Sequence, residues 1–273
     1  MGLLDRGVEI KKPEQIVAMR RAGLVVGETL EVLRAAVRAG ISTRELDAIA
    51  EDSIRSRGAT PSFLGYHGFT GSICASVNEE VVHGIPGERV LADGDVISID
   101  CGAIVDGWHG DAAISVAVGE VPADVTRLME VTEGAMWRGI AAARLGGRVT
   151  DISHAVEGFV KRNGRYGILE DYVGHGIGTA MHQPPNVPNF GKAGKGPKIV
   201  EGLALAIEPM ITLGTKETVV LDDDWTVITT DGSWAAHFEH TMTVTKNGTW
   251  VLTALDGGEE MLGKLGVPFG PLS

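Results

Sequence analysis

The chain repeats itself. Gly40-Ile41-Ser42-Thr43-Arg44-Glu45-Leu46 returns as Gly147-Arg148-Val149-Thr150-Asp151-Ile152-Ser153, and Asp93-Gly94-Asp95-Val96-Ile97-Ser98-Ile99-Asp100 returns as Val200-Glu201-Gly202-Leu203-Ala204-Leu205-Ala206-Ile207-Glu208, at offsets of 107 and 108. Two matches at nearly one spacing describe an internal duplication, over about residues 40–118 and 147–251. Each copy supplies helices and antiparallel strands, and the acidic strand ends of the two are expected to meet at a shared centre, which narrows the architectures open to 273 residues. His83-Gly84-Ile85 and His175-Gly176-Ile177 also echo one another, but at an offset of 92, so they join the repeat only with compensating insertions.

Each copy reads as helices followed by antiparallel strands, an α+β arrangement. Residues 13–39 place Ile16, Met19, Gly23, Val26, Leu30, Leu33 and Val37 at helical spacing behind Pro13. Ser42-Thr43-Arg44-Glu45 has the form of a capping box and opens a second helix ending near Gly58. A third helix follows Pro122 and stops at Gly146-Gly147, and a fourth begins at about Thr150. Strands are expected over 95–105, 108–118, 203–212 and 238–251, the last turned at Asn247-Gly248. Residues 184–198, rich in Pro and Gly, read as a long loop, and the tail from Asp256 reads as surface. With no low-complexity linker, residues 1–273 are expected to form a single domain.

Asp100, Asp111, His175, Glu208 and Glu239 each stand in a short apolar, strand-like run. A single acid in a strand ordinarily faces solvent. Here the neighbours are apolar, as in Ile207-Glu208-Pro209 and Phe238-Glu239-His240. Asp106-Gly107 is a two-residue hairpin signal that sets residue 102 opposite 111, so Asp111 and Asp100 share a face. Carboxylates packed this way repel and resist desolvation, and a cation removes both problems. Four carboxylates and one imidazole match the needs of two neighbouring divalent ions, so a dinuclear metallohydrolase is the expectation. His83 and His182 are candidates for places beside the metals.

The 24 basic and 36 acidic side chains leave a formal charge of -12, which argues against DNA or RNA as ligand. Cys74 and Cys101 form neither a Cys-x-x-Cys pair nor a disulfide framework, in keeping with a reducing compartment. Met1-Gly2-Leu3-Leu4-Asp5 meets charge at once with no apolar stretch behind it, so neither a signal peptide nor a membrane span is expected. A soluble, cytoplasmic chain follows, and the compact repeat pair implies a monomer.

Val82-His83-Gly84-Ile85-Pro86, Ser98-Ile99-Asp100, His109-Gly110-Asp111, Gly174-His175-Gly176-Ile177-Gly178, Ile207-Glu208-Pro209-Met210 and Phe238-Glu239-His240-Thr241 resemble the motifs of methionine aminopeptidases of the pita-bread fold, in the same order and over about residues 10–252. The 33-position interval from His175 to Glu208 leaves no room for the helical insertion of type II members, so the resemblance is to type I, and to its bacterial form. The resemblance implies two pseudo-symmetric halves of helices on a curved antiparallel sheet. It implies Asp111 and Glu239 as bridging ligands, Asp100 on one metal, and His175 with Glu208 on the other. It implies hydrolysis by a hydroxide bridging two divalent metals (Co, Mn, Fe or Zn), with Glu208 accepting a proton, His182 bonding the scissile group and His83 contacting the substrate near its amide.

The stretch Phe63-Leu64-Gly65-Tyr66-His67-Gly68-Phe69, with Cys74 and Trp225, resembles the family's methionine pocket, whose aromatic faces and thiol suit a thioether. Phe63 stands where relatives often carry cysteine, and Met181 where an aromatic is common. The implied activity is removal of the initiator methionine from nascent polypeptide N-termini with a small second residue, for which Met1-Gly2 itself qualifies. Transient contact with the ribosome would need a local basic patch, which the run Asp222-Asp223-Asp224 does not supply. Two alternatives stand beside this reading: a proline-directed aminopeptidase or dipeptidase of the same fold, and a pita-bread binding protein that has lost catalysis. Proline-directed relatives usually carry a large N-terminal domain, whereas about 40 residues precede the first repeat here.

Overall fold

A computed structural model describes residues 7–272, so the reading of Met1 to Asp5 lies outside the described residues. Four long helices form where the apolar spacing places them: α1 (Pro13–Ala36), α2 (Thr43–Ser56), α3 (Ala123–Ala142) and α4 (Val149–Asn163). Pro13 opens α1, where a missing N–H leaves no bond unmade. Ser42 and Glu45 close a capping box on α2, Ser42 N donating to Glu45 Oε2 at 2.8 Å and Glu45 N to Ser42 Oγ at 3.2 Å. α1 also carries glycines at its closest approaches. A Cβ at Gly23 would overlap the Leu252 carbonyl, one at Gly27 the Thr253 carbonyl, and one at Gly110 the α1 backbone. Arg20 then fastens the helix, donating to the carbonyls of Leu252 at 2.7 Å and Leu255 at 2.8 Å.

The entries to α2 and α4 are tied down by matching bonds. Leu91 N donates to Ile41 O at 2.9 Å and Thr43 N to Arg89 O at 2.9 Å; in the other half, Ile199 N donates to Gly147 O at 2.9 Å and Val149 N to Pro197 O at 3.1 Å.

Among the described residues the main sheet has nine strands, all antiparallel. At its centre the hairpin Val96–Val105 and Trp108–Ala117 turns at Asp106 and Gly107, both at positive φ, as the dipeptide predicts. Ile73–Val77 pairs with the outer side of Val96–Val105. On the other side Trp108–Ala117 meets Glu239–Thr245, then Ala204–Ile207 and Gly174–Gly176 follow. Side chains alternate across this sheet. Ile97, Ile99, Cys101, Ala112 and Ile114 point into one core with Val26, Leu30, Ile140 and Ile152 of the helices. The acids point the other way. Two halves of helices on one shared antiparallel sheet is the α+β pita-bread arrangement that the motifs imply.

Three expectations change. The run 203–212 is two strands, Ala204–Ile207 and Met210–Thr212, because Pro209 has no N–H with which to continue the ladder. The stretch 184–198 does not stay a loop: Gln183–Val187 pairs with Gly174–Gly176 at the sheet edge. The tail is not merely surface. It forms α5 (Glu259–Lys264), with Leu262 fully buried and Val267 6% exposed, and Thr249 N bonds Pro268 O at 2.9 Å. Strands that the sequence reading passed over, such as Ile73–Val77 and Ala235–His237, are short and buried along their whole length, so they show no alternation.

Candidate metal centre

Strand register brings the acids together. Cys74 stands opposite Asp100, Asp100 opposite Ala113, and Ala113 opposite Glu239, so one row across the sheet carries a thiol and two carboxylates around a small residue. The methyl group of Ala113 leaves the space between those carboxylates open. The next row holds Asp111, two residues from Ala113 on the same face. Thr241 Oγ1 locks it, accepting from Asp111 N at 3.1 Å and donating to Asp111 O at 2.8 Å. Thr241 pairs with Ala206 and Ala206 with His175, which extends the row to the imidazole. Glu208 follows where Pro209 breaks the strand. Its Oε1 lies 3.3 Å from His175 Nε2, which is 4.0 Å from Asp111 Oδ2. All five predicted ligands therefore converge.

Asp111, His175 and Glu239 are each buried and together could hold a cation. Asp100 Oδ1, Asp111 Oδ1 and Glu239 Oε1 are buried with no hydrogen-bond partner among the described residues. Burial drives Asp100 up to about 7, and it pushes Asp111, Glu208 and Glu239 well above the usual carboxylate range, with repulsion among the acids adding to the shift. Orphaned oxygens and raised carboxyls are what divalent cations relieve, so the donor set fits metal. His175 is ready for the same partner. Burial and the nearby His182 push it down to about 3, and its Nδ1 lies 3.0 Å from Gly176 O, which leaves a neutral Nε2 facing the acids.

Above these residues lies a cavity of about 210 Å³. Its walls include Phe63, Tyr66, Phe69, Cys74, Met181 and Trp225, and the predicted His83 and His182 line it as well. The Phe69 and Trp225 rings meet edge to face at 5.0 Å. Trp225 is held by Asp223, whose Oδ1 accepts from Trp225 N at 2.9 Å and Thr226 N at 2.8 Å, so the acidic run shapes the wall. His182 packs its ring 4.3 Å from His175, and its Nδ1 lies 2.9 Å from the Tyr66 hydroxyl. His83 takes a backbone φ of 61°, a conformation that costs a non-glycine residue about 1–3 kcal/mol and collects at functional sites.

Sequence reasoning missed His237. It is 1% exposed, with Nε2 3.8 Å from Glu239 Oε2 and 3.9 Å from Glu208 Oε2. Its position two residues before Glu239 was the available signal, since such residues share a face in extended chain.

The model of metallopeptidase family M24 matches residues 17–246. The chain is similar to the methionine aminopeptidase of Clostridium acetobutylicum, 51% identical over 89% of this chain and 98% of that protein. It is similar in structure to the methionine aminopeptidase of Thermotoga maritima, with a TM-score of 0.89 and 38% identity over 90% of this chain and 99% of that one. A prolidase from Pyrococcus furiosus, with a TM-score of 0.72 at 22% identity over 89% of this chain and 65% of that one, shares the fold alone. Among the described residues no helix is long and apolar enough to cross a membrane. With its carboxylates and imidazole gathered beneath an aromatic-walled cavity, the chain belongs to metallopeptidase family M24, within the methionine aminopeptidases.

Proposed function

We propose that this chain removes the initiator methionine from nascent polypeptides with a small second residue, using two divalent ions held by Asp100, Asp111, His175, Glu208 and Glu239. The observation that carries the reading is the placement of five donors, Asp111, His175 and Glu239 buried and Asp100 and Glu208 half-buried, at the base of one aromatic-walled cavity. When bound, the ions supply Lewis acidity and lower the pKa of water at neutral pH. The residues have separate roles. Asp111 and Glu239 would hold both ions, Asp100 would hold one of them, and His175 with Glu208 the other. Phe69, Tyr66, Trp225 and Cys74 receive the methionine thioether, whose soft sulfur suits aromatic faces. Burial beside Asp100 raises the Cys74 thiol well above its ordinary value, so it stays a neutral, polarizable wall.

His182 is held at Nδ1 by Tyr66, which frees Nε2 to bond the scissile peptide group and the oxyanion developing on it. His83, pushed down to about 4 by burial, faces the substrate near its amide as a neutral imidazole. Glu208, which lines the cavity at the edge of the donor set, would be the proton acceptor. The metals are drawn from Mn, Fe, Co and Zn, all compatible with an oxygen-rich set carrying imidazole. The protein acts as a cytoplasmic monomer on emerging N-termini, and any contact with the ribosome is transient.

Metal-stripped protein resupplied with Mn or Co is to be offered Met-Gly-Met-Met alongside Ala-Pro and Gly-Pro peptides. Release of free methionine, with the proline peptides intact, is the expected result. Cleavage confined to the bond before proline would move the chain to the proline-directed branch, and no turnover with any metal would leave a binding role.

A further inference from the structure

His237 lies against the carboxylates yet has no part in the roles set out above. It ends the strand Ala235–His237, opposite Met210 and so two residues along from Glu208. Ser115 grips its backbone from both sides, Oγ accepting from His237 N at 2.9 Å and donating to His237 O at 3.0 Å. The imidazole is thereby delivered from a fixed strand. Its Nε2 stands 3.8 Å from Glu239 Oε2 and 3.9 Å from Glu208 Oε2, too far for a hydrogen bond to either. It is buried and has no partner among the described residues. Three donors that each sit about 2.0–2.2 Å from one ion stand roughly 3–4 Å from one another, the separation seen here. Glu208, His237 and Glu239 could hold a cation as a set.

We propose that His237 is a further metal ligand, supplying a second imidazole nitrogen to the ion beside Glu208 and Glu239. The inference rests on the metal-centre reading above. A neutral imidazole adds a donor without adding charge, so the four carboxylates still balance two dications. It also changes which ions the centre prefers. Nitrogen donors favour the later metals, so His237 shifts relative affinity from Mn toward Co and Zn.

Co(II) is the probe, loaded into the metal-free full-length chain. In proton NMR in water, each cobalt-bound imidazole gives a strongly shifted, exchangeable N–H resonance. The native protein is expected to show two such resonances, one lost in His237→Gln and the other in His175→Ala. Calorimetry is expected to show Co(II) affinity of His237→Gln down by about tenfold or more, with Mn(II) affinity falling less. One resonance in the native protein, with Co(II) affinity unchanged in His237→Gln, would overturn the proposal while leaving the five-ligand centre standing. No bound cobalt and no shifted resonance would overturn both. If His237→Gln fails to fold, the native spectrum decides alone.

Discussion

Asp111 shows at the scale of one residue what the site costs and what it needs. It is 3% exposed, its carboxyl is pushed well above the usual range by burial and by Glu239 and Asp100, and its Oδ1 has no partner among the described residues. Ionised and without metal, such a group weakens the fold. Asp111→Asn is therefore expected to raise the melting temperature of the metal-free protein by about 2 °C or more, while abolishing the further rise that added metal gives the native chain. Thermal melts with and without Mn check both signs. Proton competition follows from the same residues. Asp100 must lose a proton held up to about pH 7 before it can bind a cation, whereas His175, lowered to about 3, is already neutral. Metal affinity is therefore expected to rise with pH through about 7, with protons released on binding, in calorimetry repeated across buffers of different ionisation enthalpy.

At the scale of elements, the long amphipathic helices and the central hairpin were legible because their signals are local: Pro13, the Ser42 and Glu45 box, and Asp106-Gly107. Elements without alternation were not. Ile73–Val77 is buried at every position, and Ala235–His237 likewise, so neither offers a period to read. The tail misled for another reason. Its Gly and Pro content reads as loop, yet Gly258 lets the chain turn into α5 so that Leu262 enters the core beside Val251. A surface tail would tolerate truncation there. Leu262→Ala is instead expected to destabilise the protein by about 2–5 kcal/mol in urea unfolding, with activity per folded molecule unchanged, since Leu262 is remote from the cavity.

At the scale of the molecule, the repeat and the site are one design problem. Helices cover one face of a shared sheet, which frees the other face for donors drawn from both halves: Asp100 and Asp111 from the first, His175, Glu208 and Glu239 from the second. The seam where Trp108–Ala117 meets Glu239–Thr245 sets their spacing. The five proposed ligands were legible as candidates because acids in apolar runs conflict with ordinary burial. His237 was not, since a histidine in Ala235-Ala236-His237-Phe238 breaks no local rule; its place two residues before Glu239 was the one local signal, and the register opposite Met210 brings it beside Glu208. The most direct measurement is the initial rate of methionine release from Met-Gly-Met-Met as Mn or Co is titrated into metal-free protein, native and Asp111→Ala side by side. Release that rises from zero with ions bound in the native chain, and stays at zero in Asp111→Ala, is the predicted result; release that survives metal removal or the loss of Asp111 would contradict a metal centre built from these five residues.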